Sequence, residues 1–130
     1  MHRIYIRIDG EGFDPDRFQA EHGKELGGSV DVIKRVRADG TQEVARTNWK
    51  SEIVQSRSGD PEAELTKLLL KLKPVLLALK DKQDIRVIAH VVQDVSRQDE
   101  ASGVFLPREA IQLLAEVGAS FDFDISLCQR

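Results

Sequence analysis

Arg3-Ile4-Tyr5-Ile6-Arg7-Ile8-Asp9 alternates isoleucine with polar or charged residues. A period of two marks a half-buried strand, because successive side chains leave a pleated backbone on opposite sides. The isoleucines predict a core face, and Arg3, Tyr5, Arg7 and Asp9 its reverse. Gly10-Glu11-Gly12 breaks the pattern, and Asp14-Pro15-Asp16 reads as a helix start. Asp14 can cap the free amides and Pro15 fits the first helical position. A short helix through about Glu21 follows, anchored by Phe18, with Gly23, Gly27 and Gly28 in a loop.

The remaining elements follow from the same signals. Val30, Val32, Ile33 and Val36 predict a second strand to about Arg37. Asp39-Gly40, within Ala38–Thr41, predicts a hairpin turn. The return strand, whole or in two pieces, crosses Val44 to Val54 and contains Trp49, and Ser56–Gly59 is a polar loop. Asp60-Pro61-Glu62 starts a helix whose face is Leu65, Leu68, Leu69 and Leu72. Pro74 is expected to end or kink it, with Val75, Leu76 and Leu79 in a second short helix. Ile85–Val92 predicts a strand with Ile85, Val87 and Ala89 on one face and His90 on the other. Residues 94–103 are a polar loop. Leu106-Pro107-Arg108-Glu109 opens a last helix with Ala110, Ile111, Leu114, Ala115 and Val117 on its apolar side, stopped by Gly118. Phe121, Phe123, Ile125 and Leu127 alternate with Asp122, Asp124, Ser126 and Cys128, which predicts a strand with one buried face. The order β-α-β-β-α(α)-β-α-β predicts one α+β domain over residues 1–130, a mainly antiparallel sheet with helices on one face. Its first six elements match a ferredoxin-like unit.

Composition narrows the function classes. The chain has 130 residues, 41% of them hydrophobic and 32% charged, enough apolar content for a core without staples. The net charge of -3 lacks the basic excess of a nucleic-acid binder, and 5% aromatics supply few stacking platforms for bases. No apolar run approaches the roughly 20 residues of a membrane span. A single cysteine, Cys128, allows no internal disulfide, and the N-terminus lacks a signal-peptide pattern, so a reducing cytoplasm is expected. Charge is uneven: segment 9–25 has six acids against two bases and segment 94–124 seven against two, whereas segment 30–57 has six bases against four acids. Such unevenness is read first as solvated faces of mixed charge; the sharper reading is a polar molecule suited to a protein partner.

Four stretches carry a resemblance. They are Ile4-Tyr5-Ile6-Arg7-Ile8 leading to Phe13-Asp14-Pro15-Asp16; Thr47-Asn48-Trp49 with Ser51; Glu64-Leu65 through Leu68-Leu69 and Leu72; and Ala110-Ile111 through Leu114-Ala115, Gly118-Ala119 and Phe121-Asp122-Phe123-Asp124-Ile125. In this order they resemble domain of unknown function family 4279, a group of small bacterial proteins. The chain departs from that pattern at Leu26-Gly27-Gly28-Ser29-Val30 and at Ser126. The family carries no established activity, so the resemblance implies no reaction. By analogy with small acidic bacterial proteins of this size, it suggests an immunity-type protein that binds and neutralises a toxin.

Catalytic and metal-ligating patterns are wanting. His2, His22 and His90 have no paired ligand spacing, so neither a metal site nor a cofactor is expected. The glycines near the N-terminus form no phosphate-cradling motif, and no serine sits in a nucleophile elbow. Cys128 has no visible base to lower its pKa. Asp122 and Asp124 share one strand face and form an alternative acidic patch, read first as a solvated edge. Trp49 is read first as core; if half-exposed, it would anchor a binding patch with Arg35, Arg37, Arg46 and Lys50. The expected function is therefore non-enzymatic binding of a protein partner. The alternative is a small anionic or phosphate ligand on the basic hairpin around Trp49. An exposed sheet edge would also allow a homodimer.

Overall fold

A computed structural model describes residues 1–56, 60–96 and 101–128, with the backbone alone of Cys128. The elements are β1 (His2–Asp9), α1 (Pro15–Leu26), β2 (Ser29–Val36), β3 (Gln42–Lys50), β4 (Val54–Ser56), α2 (Pro61–Leu79), β5 (Arg86–Ser96), α3 (Arg108–Val117) and β6 (Ala119–Cys128). The sheet runs β2-β3-β1-β5-β6, with β4 also pairing with β1. Every pair is antiparallel except β5 with β6. The block β2-β3-β1-β5 interleaves two β-α-β units and is the strand order of a ferredoxin-like core. α3 and β6 extend it at the β5 edge.

The alternation of β1 sets this layering. Ile4, Ile6 and Ile8 are fully buried and join Val87, Ala89 and Val91 of β5 in the core. Leu65, Leu68, Leu69, Leu72 and Leu76 of α2 and Ala110, Leu113, Leu114 and Val117 of α3 complete their helices' buried faces. Asp14 and Asp60 cap α1 and α2 by accepting from the amides of Arg17 and Ala63, each 3.1 Å away. Asp39 accepts from the Thr41 amide at the hairpin turn. Gly118 stops α3 in the left-handed conformation.

Four local expectations are corrected. α1 runs past Gly23 to Leu26, because Gly23 leaves room for the Gln19 side chain, which a Cβ there would strike at 2.4 Å. α2 is one helix through Pro74. Pro74 lies on its exposed side and Leu70, whose carbonyl loses its bond, is also exposed, so water can serve that oxygen. β5 continues to Ser96, four residues beyond the predicted end, because Val95 is still buried. β6 buries only half its apolar face: Phe121 and Phe123 pack against the core, but Ile125 and Leu127 are exposed at the sheet edge. The parts of the predicted polar loops at 57–59 and 97–100 lie outside the described residues, as does the Cys128 side chain.

Candidate functional site

Helices occupy one side of the sheet, and the other side carries the even-numbered residues of β5 and β6 and the odd-numbered residues of β1. Because β5 and β6 pair in parallel, His90 lies opposite Asp122, and on its other flank it lies opposite Tyr5. A depression of about 500 Å³ opens there, lined by Tyr5, Arg7, Arg86, His90, Asp122 and Asp124 with parts of Ile88, Ser120 and Phe121.

Inside this depression, each polar group is set by its strand neighbours. His90 is only 6% exposed. Its ring stacks on Tyr5 at 4.8 Å and 16°. Its Nδ1 lies 3.1 Å from Asp122 Oδ2. A carboxylate accepts, so Nδ1 carries the proton and Nε2 is left as a bare acceptor. That Nε2 is buried with no donor among the described residues. Burial holds the imidazole below the ordinary histidine range, Arg7 adds to the effect, and Asp122 opposes it. Asp124 is pushed up, because it shares a hydrogen bond with Asp122 and meets its like charge.

A second cluster adjoins the first. Asp9 is 2% exposed and accepts from Arg86 Nε at 2.8 Å. Arg7 Nε forms an ion pair with the other oxygen at 3.4 Å, outside hydrogen-bond geometry. On the same face, Arg3 donates twice to Asp94, at 2.8 and 2.9 Å, which holds the Asp94 carboxyl below its usual range. Lys50 stands 4.9 Å from the Tyr5 ring centre and 3.6 Å from Asp31. The open face is therefore a mosaic of both signs rather than a field of one.

The basic residues singled out do not gather around Trp49. Trp49 is fully buried, T-shaped against Phe18 at 4.8 Å, and donates its Nε1–H to Gln19 at 2.7 Å. A tryptophan so placed touches no ligand, which corrects its inclusion in a binding patch. Gly28, at a positive φ of 84°, passes so close that a Cβ would sit 2.5 Å from the indole. Arg35 and Arg37 both bind Glu43 and lie toward the hairpin tip, whereas Trp49 pairs with Val30 at its base. Arg46 sits beside Asp9, Glu11 and Arg86 in a separate hollow, and Lys50 reaches the open face. The Asp122–Asp124 pair is the part of the sequence reading that falls in the depression. Tyr5, Arg7, Asp9, Arg86 and His90 were missed as site residues. Their signal was the odd-numbered, outward face of the opening strand together with the position of His90 on the polar side of its own.

Chemically, this arrangement can bind. Among the described residues, His90, Asp122 and Asp124 are the group that could hold a divalent cation, with ligand atoms all within 4.8 Å of one another. A cation there would share the depression with the Arg7 and Arg86 guanidiniums.

Fold and site together define a small α+β protein with a ferredoxin-like core, an added α3–β6 unit and a polar sheet face that no described helix covers. The chain belongs to the family described as Domain of unknown function (DUF4279), whose model matches residues 1–127. No curated protein matches it. No helix among the described residues is long and apolar enough to cross a membrane.

Proposed function

We propose that this chain is a non-enzymatic binding module of the immunity type, which holds a protein partner on the open face of its sheet. The observation that carries the reading is that face itself, with His90, Arg7, Arg86, Asp122 and Asp124 in one depression beside a buried Asp9. Charges of both signs at fixed positions suit a partner with the complementary pattern, since such patterns set register and exclude wrong partners. The non-enzymatic part is supported by His90, whose Nε2, the nitrogen free to take a proton, is buried without a hydrogen-bond partner among the described residues. The proposed site of action is the reducing cytoplasm, in keeping with a single cysteine.

A phosphate-binding hairpin is not favoured, because Glu43 already engages both Arg35 and Arg37 and Trp49 is inside the core. Co-expression with toxic products of the neighbouring genes tests the proposal. The wild-type chain is expected to protect the cell from one of them and to co-purify with it. Absence of both protection and complex would refute it.

A further inference from the structure

The two ends of the sheet are protected differently. At one end, β2 carries Lys34 and Arg35 and breaks register between Ile33 and Lys34. Charges and bulges of this kind discourage pairing with another chain. At the other end, β6 keeps unbroken register with β5 from Ala119 to Cys128. Its outer backbone groups therefore form a ten-residue template without a bulge. Beside it, on the helix side, Ile125 is 51% and Leu127 70% exposed.

α3 extends this edge into the second layer. Its buried face is Ala110, Leu113, Leu114 and Val117, and Glu116 on one flank reaches Lys73 of α2 at 2.8 Å. At 100° per residue, Ile111 and Ala115 fall on the opposite flank, away from α2 and above the free side of β6. Ile111 is 54% exposed. The edge thus offers apolar side chains from a strand and from the helix packed over it. A partner that covers both must present a strand and a helix in the same two layers. A second copy, turned about a two-fold axis normal to the sheet, does so by construction.

Sequence then selects the register. Residues directly opposite in an antiparallel pair share a face, so a two-fold pairing must centre on a residue of β6. Centring on Asp124 sets the two Asp124 carboxylates against each other. Centring on Ile125 sets Ile125 against Ile125, Phe123 against Leu127, and Asp124 against Ser126. The second arrangement matches apolar with apolar and separates the acids.

We propose that the chain forms a homodimer by antiparallel pairing of β6 with the β6 of a second copy, centred on Ile125, with the Ile111–Ala115 flanks of the two α3 helices meeting above it. The sheet then runs through both molecules, and the depression around His90 stays on the uncovered side of each.

Sedimentation and disulfide trapping test this on the full chain. The wild type should sediment at twice 14.6 kDa, and Ile125→Lys should sediment at half the wild-type mass while keeping the wild-type circular dichroism. In a Cys128→Ser background, Ile125→Cys should cross-link under mild oxidation, because opposed Cβ atoms lie about 4.5–5.5 Å apart. Asp124→Cys should not. A wild type that stays monomeric at the highest workable concentration overturns the proposal. Equal cross-linking of both variants, or a dimer that persists in Ile125→Lys, also overturns it. None of these outcomes bears on whether the open face binds a toxin.

Discussion

Trp49 is held by two kinds of contact, ring packing on Phe18 and a hydrogen bond to Gln19. Gln19→Ala removes the acceptor and leaves a buried indole N–H unpaired, at a cost of about 1–3 kcal/mol. Gln19→Glu keeps an acceptor and should recover part of that loss in urea unfolding. His90 makes a second residue-scale prediction. Its folded pKa is depressed, chiefly by burial and then by Arg7, so on acidification the unfolded chain takes up the proton first. This contribution is complete above the ordinary histidine value of about 6.5 and is lost as pH falls from there through the folded value. His2, depressed by burial and the N-terminal ammonium, adds to the same slope. Thermal stability should therefore fall as the pH drops below the ordinary histidine value, and His90→Gln should flatten that dependence. The partnership of His90 with Asp122 could not be read in the sequence: 32 positions separate them, and only the parallel register of β5 with β6 brings them together. The core role of Trp49 was legible, as the first reading of a tryptophan within a strand.

At the scale of elements, caps, turns and periodicity located nearly every helix and strand, because each signal lies within a few residues of its effect. Asp14, Asp60 and Asp39 act where they were expected to. The misses have tertiary causes. Pro74 looked like a helix end, but its side of α2 faces water, so the lost hydrogen bond is replaced by solvent rather than buried. Pro74→Ala restores that bond while making the unfolded chain more flexible, two opposed effects. Chemical denaturation should place their sum within about 1 kcal/mol of the wild type. β6 looked like a strand buried along one whole face, yet its helix cover ends before Ile125. Periodicity reports which side a residue takes, not how far the neighbouring layer extends.

Across the whole molecule, the order of elements foretold a ferredoxin-like core, and the strand order bears it out. The net charge of -3 concealed how the charges are shared out. The basic hairpin engages Arg35 and Arg37 with Glu43, while the open face brings Arg7 and Arg86 beside Asp9, Asp122 and Asp124. If that face holds the partner, reversing its outward carboxylates should remove binding while the buried Asp9 keeps its Arg86 partner and the fold is spared. The deciding measurement is calorimetric titration of the protein that co-purifies with this chain into the wild type, into Asp122→Lys/Asp124→Lys, and into Arg35→Glu/Arg37→Glu. The open-face variant should bind at least about 30-fold more weakly, the scale of losing an interface hot spot, and the hairpin variant should bind as the wild type does. Full affinity in the open-face variant with loss in the hairpin variant would contradict the account.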